Sequence, residues 1–331
     1  MYQKEFINKD LSNSTFLITG GAGFIGSHIV EYLLKHGAGK VRVLDNLITG
    51  RESNIEAFQS NDRFEFLNGD IRNLEDCQKA CEGVDYVSHQ AALGSVPRSV
   101  KDPIASNSHN VDGFLNMLHS AKEANVKTFV YASSSSVYGD DKVLPKKEGN
   151  EGNPLSPYAV TKKTNELYAK VFHDVYGFNI LGLRYFNIFG PRQDPNGQYA
   201  AVIPLFVSKC LEGEEVMIDG DGEQTRDFTF VANAVKANVL ALLNSKEESY
   251  GKVYNIAVGQ NYSVNYLYEK IASYLEVESS AKHREARKGD IRNSLADISN
   301  AEASFGYQPE VSFEDGLPIT IDYFKSLFLK Q

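Results

Sequence analysis

Short apolar runs alternate with helical patterns over the first half of the chain. Runs of β-branched and other apolar residues predict six strands, at 15–19, 41–44, 64–67, 86–88, 129–132 and 180–183. Apolar residues that recur every three or four positions predict helices at 24–35, about 104–124 and 158–176. Because strands that alternate with helices form βαβ units, this order predicts an α/β fold, a doubly wound parallel sheet.

The pattern becomes less regular after Asn187, where glycine, proline and aspartate are frequent. A helix at 231–244 and a strand at 253–256 predict a return to the main sheet, so that 1–186 and 231–256 form the principal domain. The segments 187–230 and 257–331 are expected to form a smaller mixed α/β lobe. Within that lobe we expect a turn-rich hairpin at 213–224 and a C-terminal packing helix at 315–329.

Composition and charge narrow the possible partners. The chain has 331 residues and a formal net charge of −9, which argues against binding to nucleic acid or to an anionic membrane surface. It contains no run of about 20 apolar residues that would predict a transmembrane helix. The first residues do not resemble a secretory signal, so we expect a cytoplasmic location. Three cysteines give no disulfide framework, and Cys77 and Cys81 are interpreted as half-buried thiols on one helix face rather than a metal pair.

The first predicted strand runs directly into a glycine-rich turn. Its G-x-x-G-x-x-G spacing lies between a strand and a helix, where glycines let backbone N–H groups approach a pyrophosphate. A plain strand-to-helix turn is the alternative, and the position of the turn favours the phosphate site. The sequence therefore predicts a Rossmann-type dinucleotide site that includes Gly20, Gly23, Phe24, Ile25 and Gly26.

Polar and small residues follow the next three strands at positions that suit the rest of a dinucleotide. Asp45 ends the second strand, where a carboxylate accepts hydrogen bonds from a ribose diol and repels a 2′-phosphate, which favours NAD over NADP. By analogy with other folds of this type, Asp70 and Ile71, after the third strand, are placed beside adenine. Ala91 and Ala92, after the fourth strand, are small and leave room for the cofactor.

Candidate reacting groups lie on and before the helix at 158–176. Tyr158 and Lys162 are four positions apart and share one helix face. A free phenol has a pKa of about 10, and a nearby cation, whether an ammonium or oxidised nicotinamide, lowers that pKa. By itself the pair suits a half-buried tyrosine and a solvated lysine. Four serines at 133–136 follow the fifth strand, at the edge where open α/β sheets bind ligands, and favour a reaction site.

Motifs spread over nearly the whole chain resemble those of one enzyme family. They are TGGAGFIG, GDIR, HQAA, YASSSSVYG, the Tyr158/Lys162 pair, LRYFNIFGPRQ, DGEQTRDF and ARKGDIRNSLAD. Together they resemble the extended short-chain dehydrogenases/reductases, and closely the nucleotide-sugar 4-epimerases. HQAALGSVPRSVKDP and GDIRNSLAD resemble, more narrowly, the bacterial UDP-N-acetylhexosamine 4-epimerases of surface-polysaccharide pathways.

The resemblance implies a reaction that uses NAD and leaves no net oxidation. Ser134, Tyr158 and Lys162 match the catalytic triad of the family, with Tyr158 as base, Lys162 on the nicotinamide ribose and Ser134 on the sugar 4-hydroxyl. Oxidation at C4, rotation of the 4-keto sugar and return of the hydride to the opposite face invert that carbon. By position, the cofactor site also includes Asn46 and Tyr185, and the sugar site includes Ser135 and Ser136.

The resemblance also assigns residues to a UDP-sugar substrate. Asn187 approaches the nucleotide, and Arg226 and Arg287 neutralise the diphosphate, because planar guanidinium groups suit phosphate oxygens. Asp290 accepts a hydrogen bond from the uridine ribose, and Arg98 touches the sugar substituent. A solvated surface charge is the alternative for each arginine.

The resemblance also gives expectations for the sugar pocket at Ser294 and for the oligomeric state. A small residue at Ser294 leaves space for an N-acetyl group at C2 of the sugar, whereas a tyrosine there would leave little. An ordinary strand hydroxyl is the alternative for Ser294. The family also implies a homodimer through two helices, at 104–124 and 156–176.

Two other functions compete with the 4-epimerase. A nucleotide-sugar 4,6-dehydratase shares the fold and the first oxidation, but the family places Asp-Glu directly after the catalytic Ser or Thr, where this chain has Ser135 and Ser136. A catalytically silent NAD-binding sensor or scaffold often lacks the tyrosine or the lysine, and both are present here. The preferred sugar, whether N-acetylhexosamine, hexose or uronic acid, stays open.

Overall fold

The structure is a computed structural model that describes residues 1–195, 201–278, 281–286 and 292–329. Its strands are β1 (Thr15–Thr19), β2 (Lys40–Asp45), β3 (Phe64–Asn68), β4 (Tyr86–His89), β5 (Thr128–Ser134), β6 (Ile180–Tyr185), β7 (Ile188–Phe189), β8 (Val216–Asp219), β9 (Thr225–Arg226), β10 (Thr229–Phe230), β11 (Lys252–Ile256), β12 (Tyr262–Ser263) and β13 (Ala281–Arg284). Its helices are α1 (Phe24–Lys35), α2 (Leu74–Cys81), α3 (Val96–Lys101), α4 (Pro103–Asn107), α5 (Gly113–Glu123), α6 (Pro157–Tyr176), α7 (Val202–Leu211), α8 (Val231–Leu243), α9 (Val264–Leu275), α10 (Ser299–Phe305) and α11 (Phe313–Phe328).

Seven of these strands form one parallel sheet in the order β3-β2-β1-β4-β5-β6-β11. β1 lies between β2 and β4, with Thr15 paired to Lys40 and Thr19 paired to His89. The order of strand addition therefore reverses at β1, and such a switch point opens a crevice at the carboxyl ends of the strands. The predicted Rossmann-type, doubly wound parallel sheet is confirmed.

Helices cover both faces of this sheet and bury two apolar cores. On one face α1 and α8 pack together, with Ile29 and Val239 completely buried, so the predicted return of α8 to the sheet is confirmed. On the other face α2, α5 and α6 bury Leu118 and Phe172. Cys77 also lies fully inside this second core, more deeply than predicted, as a packing residue.

A third core belongs to the lobe, where α7, α9 and α11 pack against β7 and β10. The predicted hairpin at 213–224 is wrong, because β8 pairs in parallel with the distant strand β13. Gly220 and Gly222 have positive φ values of 72° and 75° and turn the chain from β8 toward β9. β9 then pairs with β12 in antiparallel orientation. The C-terminal helix packs into the lobe, with Leu317 and Phe324 buried, as predicted.

The helix predicted at about 104–124 is found at 103–123, but it is more irregular than its pattern indicates. α3 precedes it, and Asp102 accepts the N–H of Ala105 to cap α4 at Pro103. A π-helical turn at 108–112 then joins α4 to α5. Proline suits the first turn of a helix, so the sequence Asp102-Pro103 ends one helix and begins the next.

Within the described ranges, the helices are all too short or too polar to cross a membrane.

Candidate active site

The glycine turn after β1 is closely packed, which explains why side chains are absent there. Gly20 has a φ of +66°, and a Cβ on it would lie 2.7 Å from the backbone nitrogen of Ala91. A Cβ on Gly26 would lie 2.2 Å from the carbonyl oxygen of Gly20. Gly23 precedes the first residue of α1 and donates its N–H to that same carbonyl at 3.0 Å. The turn therefore brings the amino end of α1 against the crevice, where backbone N–H groups favour a phosphate.

Asp45 is held at the end of β2 by backbone hydrogen bonds. Its two carboxylate oxygens accept the N–H groups of Ala22 and Leu47, each at 2.9 Å. Burial raises the pKa of this carboxyl, and the backbone hydrogen bonds act in the opposite direction. Because each carboxylate oxygen accepts more than one hydrogen bond, Asp45 retains the capacity to accept a ribose diol.

Asn46 and Ile71 lie in the crevice as predicted, and Asp70 stands beside it. Asp70 does not line the cavity, because its carboxylate accepts Asn46 Nδ2 at 2.9 Å and pairs with Arg72 at 2.6 Å. The hydrogen bonds from Arg72 hold the pKa of Asp70 well below its ordinary value. Asp70 therefore orients Asn46 from outside the cavity.

A cavity of about 380 Å³ runs along the carboxyl ends of the strands from the glycine turn to α6. This volume lies within the range of small-molecule sites in proteins. Every predicted cofactor residue except Asp70 lines it, together with Ser134 and Asn187. The predicted residues that the fold brings together are Gly20, Gly23, Phe24, Ile25, Gly26, Asp45, Asn46, Ile71, Ala91, Ala92, Ser134, Tyr158, Lys162, Tyr185 and Asn187.

Three groups of the predicted triad meet at one end of this cavity. Ser134 ends β5, and its hydroxyl forms a hydrogen bond with the Tyr158 side chain. Lys162 lies one turn along α6, with Nζ 5.9 Å from the centre of the Tyr158 ring and 2.7 Å from the Ala132 carbonyl oxygen, to which it donates. Ser99 accepts the backbone N–H of Tyr158 at 3.0 Å and fixes the start of α6 against α3.

Burial controls the ionisation of this tyrosine and lysine. It lowers the pKa of Lys162 to about 8, and the negative charge of Glu166 acts in the opposite direction. The pKa of Tyr158 was expected to fall below its ordinary value because of the neighbouring cation. Instead burial raises it, and the hydrogen bond with Ser134 only partly opposes that rise.

A second cavity, of about 250 Å³, lies in the lobe and shares one wall with the first. Arg226 and Gln224 line it, and Asn187 lines both cavities. Asn187 connects β6 to β7 with a φ of +37°, and Nδ2 donates to the carbonyl oxygen of Asp227 at 3.4 Å. The fold therefore places a guanidinium and an amide at the point where the sheet meets the lobe.

Four predicted substrate residues of the described ranges line neither of these two cavities. Ser135 and Ser136 begin a 3-10 turn directly after β5, and the Ser136 hydroxyl is buried without a partner in the described part of the chain. Arg98 lies on α3. Ser294 is buried beside β9, where its N–H donates to the Thr225 carbonyl at 3.1 Å. The predicted residues Arg287 and Asp290 lie outside the described ranges.

Several residues of the site were not predicted. Gln90 lines the cavity and accepts the Tyr185 hydroxyl at 3.0 Å, while its amide donates to Asn238 at 3.0 Å. His109 also lines the cavity, and its buried Nε2 has no hydrogen-bond partner among the described residues. The HQAA motif indicated the position of Gln90, but no periodicity indicated that a residue in the π-helical turn would face the cavity.

The comparisons with known proteins define the family. The sequence profile of the NAD dependent epimerase/dehydratase family matches residues 16–257, and the chain belongs to this family. The chain is 35% identical to the UDP-glucose 4-epimerase of Mycolicibacterium smegmatis over 94% of its length and 98% of that protein. These findings confirm the predicted family and the predicted NAD dependence.

Solved structures agree with the fold and with the class of relatives. A UDP-N-acetylglucosamine 4-epimerase from Methanobrevibacter ruminantium M1, in complex with UDP-N-acetylmuramic acid, superposes with a TM-score of 0.89 at 42% identity, over 95% of this chain and 99% of that one. A UDP-glucuronic acid 4-epimerase from Bacillus cereus, in complex with UDP-glucuronic acid and NAD, has a TM-score of 0.88 at 34% identity, with the same coverage.

The described residues fit NAD on structural grounds. The glycine turn leaves open the space that a Cβ would fill, directly in front of the amino end of α1. Asp45 presents a carboxylate at the end of β2, where a ribose diol is accepted and a 2′-phosphate is repelled. Lys162 and Tyr158 line the opposite end of the same cavity. The glycine turn and Asp45 would thus hold the adenosine and pyrophosphate, and α6 would face the nicotinamide.

Proposed function

We propose that this protein is an NAD-dependent UDP-N-acetylglucosamine/UDP-N-acetylgalactosamine 4-epimerase. The observation that carries the proposal is the meeting of Tyr158, Ser134 and Lys162 at one end of a cavity whose other end has a dinucleotide turn and Asp45. The similarity to a UDP-N-acetylglucosamine 4-epimerase structure, at 42% identity, supports the choice among sugars.

The residues of the site have distinct tasks in this proposal. Ser134 holds the sugar 4-hydroxyl beside Tyr158, and Tyr158 takes the proton from that oxygen and later returns it. Lys162 keeps the site positively charged and holds the nicotinamide ribose. When bound, NAD supplies the hydride acceptor and donor at C4 of the sugar. The uridine diphosphate stays anchored while the 4-keto sugar rotates and presents its opposite face. Tyr158 then returns the proton to the sugar oxygen.

The second cavity supplies the anchor for the nucleotide. Arg226 lines it, and a guanidinium binds phosphate oxygens through planar, charge-assisted hydrogen bonds. Asn187 stands between this cavity and Tyr158, so the nucleotide and the sugar C4 would lie on either side of one side chain. Arg287 and Asp290 are proposed for the same anchor on the basis of the family motif. Ser135, Ser136 and Arg98 are proposed for the sugar.

The two residues that follow Ser134 favour the epimerase over the dehydratase. A 4,6-elimination needs an acid and a base near C5 and C6, and Ser135 and Ser136 supply neither. The intact pair of Tyr158 and Lys162 in the cavity argues against a catalytically silent sensor.

A panel of UDP-sugars tests the proposal directly. The purified protein, without added NAD, is expected to interconvert UDP-N-acetylglucosamine and UDP-N-acetylgalactosamine faster than it acts on UDP-glucose or UDP-glucuronate, with the product followed by NMR. Release of a stable 4-keto sugar would support the dehydratase instead. No turnover of any of these sugars would support the sensor.

Ser294 tests the choice of sugar. Replacing Ser294 with Tyr fills the space assigned to the acetamido group, so we expect kcat/KM for the N-acetylated sugar to fall about 10-fold or more relative to UDP-glucose. Ser294→Ala keeps the space and serves as the control. An equal effect of Ser294→Tyr on both sugars would remove Ser294 from this role.

We also propose that the protein forms a homodimer through the two helical segments 104–124 and 156–176, where α4 and α6 expose apolar side chains. Val160, Leu167, Val171 and Val175 recur at helical spacing on α6 and are 51–65% exposed. Ile104 on the adjacent α4 is 80% exposed. A contiguous apolar stripe of this kind is rarely left in water, and a second copy presents a matching helix pair.

A further inference from the structure

A buried ion cluster lies directly behind the reacting residues. Glu166 follows Lys162 by four positions on α6, so the two side chains share a helix face. One carboxylate oxygen of Glu166 accepts the Ser133 hydroxyl at 2.6 Å and Arg184 Nε at 2.8 Å. The other accepts Arg184 Nη2 at 2.8 Å. Glu166 is 7% exposed and Arg184 is 1% exposed, so these charges are shielded from water.

Ser133 connects this cluster to the reacting groups. It lies between Ala132, whose carbonyl oxygen accepts Lys162 Nζ at 2.7 Å, and Ser134, whose hydroxyl bonds to Tyr158. A hydrogen bond that holds the Ser133 side chain therefore also sets the position of its two neighbours. We propose that Glu166 is a positioning residue for the reaction, which fixes the end of β5 through Ser133 and stabilises the positive charge of Lys162.

Among the described residues, Glu166 is the source of the negative charge that acts on Lys162. Tyr158 lies on the same helix, His89 at the end of β4, and Tyr185 and His109 line the same cavity. Burial lowers the pKa of His89 to about 3 and raises the pKa of Tyr185, so both are neutral at pH 7. Burial disfavours the ammonium of Lys162, and the charge of Glu166 partly restores it.

Arg184 keeps Glu166 in place. Its guanidinium lies over the Tyr138 ring, with the central carbon 4.9 Å from the ring centre, and Nη1 lies 2.5 Å from Glu151 Oε1. Arginine remains charged at all accessible pH values, and its planar donors match a carboxylate in two places. Glu151 thus shares Arg184 with Glu166 but makes no hydrogen bond with Ser133, which makes Glu151 a matched control.

The inference rests on the proposed function, and the pH profile of kcat/KM tests it with the purified protein. Activity is expected to fall at alkaline pH as Lys162 loses its proton. Glu166→Gln removes the charge that stabilises the ammonium, so Lys162 loses its proton at lower pH. We expect the alkaline limb to move down by about one pH unit.

Three further variants separate charge from position. Glu166→Asp keeps the charge with a shorter reach, and Ser133→Ala keeps the charge without the hydrogen bond. Both are expected to lower kcat by about 10-fold while the alkaline limb stays at the wild-type pH. Glu151→Gln is expected to change neither quantity. Melting temperatures identify any variant that does not fold, and Ser133→Ala and Glu166→Asp test the inference if Glu166→Gln fails to fold.

A binding measurement distinguishes failure of this inference from failure of the proposed function. NAD affinity, measured by titration calorimetry between about pH 6 and pH 10, is expected to change as Lys162 titrates. That change is expected at lower pH in Glu166→Gln than in the wild type, whether or not any sugar is turned over. The inference is overturned if the pH of the change is the same in both proteins, if neither protein shows a change, or if Glu151→Gln behaves like Glu166→Gln.

Discussion

Lys162 and Tyr158 are both moved by burial toward their uncharged forms. The pKa of Lys162 falls to about 8, and the pKa of Tyr158 rises above its ordinary value. The pKa of the lysine therefore lies below that of the tyrosine, and the difference between the two pKa values is larger than in water. The phenolate is favoured by the hydrogen bond from Ser134 and by any positive charge that approaches the ring. In the proposed function, Tyr158 is therefore a base whose strength depends on what occupies the site.

Replacing Tyr158 with Phe tests its role as the base. The variant keeps the ring and loses the hydroxyl, so turnover of the UDP-sugar is expected to fall by about 10³-fold while NAD binding is kept. Turnover and the content of bound NAD are measured on the same preparation.

The control for Tyr158→Phe is Tyr176→Phe, because Tyr176 is an exposed tyrosine on the same helix. It should retain wild-type turnover. Activity of Tyr158→Phe within a few-fold of wild type would assign the proton transfer to another group.

At the scale of elements, the glycine turn and α1 act as one unit. Gly26 lies in the first turn of α1, and the carbonyl oxygen of Gly20 occupies the space that a side chain would need. The same contact sets the distance between the amino end of the helix and the end of β1. Because backbone atoms form this contact, a substitution has to shift the helix, and a flexible side chain cannot absorb the change.

Gly26→Ala is expected to lose most of its bound NAD and to melt at a lower temperature than the wild type. The added Cβ would lie 2.2 Å from a carbonyl oxygen, so α1 must move away from the phosphate position. Gly23→Ala places its Cβ 3.0 Å from the same oxygen and should show a smaller loss. Cofactor content after purification is read by absorbance, and wild-type content in Gly26→Ala would contradict the packing argument.

The sequence predicted the elements whose patterns are local. All seven strands of the parallel sheet were found within two residues of their predicted bounds, because buried parallel strands are short apolar runs between turns. The pairing of β8 with β13 was missed, since the partner follows some sixty residues later and no local pattern encodes it. α3 was missed because its six residues include Pro97 and bury only Ser99 fully.

The candidate site shows the same division between local and distant signals. The types and spacing of Tyr158 and Lys162 predicted that the two side chains lie together, and both line the cavity, whereas their role in the reaction stays a prediction. Glu166 and Arg184 escaped notice because a charged residue in a sequence predicts a solvated surface, and here the two bury each other. The direction of the Tyr158 pKa was wrong for a related reason, since burial is a property of the assembled fold.

At the scale of the whole molecule, the apolar stripe on α6 predicts the assembly. Replacing Leu167 and Val171 with Glu places two charges in the proposed interface, so the double variant is expected to be a monomer and the wild type a dimer by light scattering at micromolar concentration. Both proteins should bind NAD, because neither residue lines the cofactor cavity.

Val143→Glu is the control for the assembly, since Val143 is also exposed but lies on the loop before α6 and not on the apolar stripe. It should remain a dimer. A monomeric wild type, or a double variant that stays dimeric, would exclude this face as the interface.

Among the predicted residues that the structure describes, Asn187 alone borders both the cavity at the carboxyl ends of the strands and the cavity in the lobe. A displacement of this amide when one chamber fills must change the shape of the other. Thermodynamic linkage then requires reciprocity: if a nucleotide in the lobe strengthens dinucleotide affinity, the dinucleotide strengthens nucleotide affinity by the same factor. At this boundary between the principal domain and the lobe, each of two ligands would thus change the affinity for the other without direct contact between them.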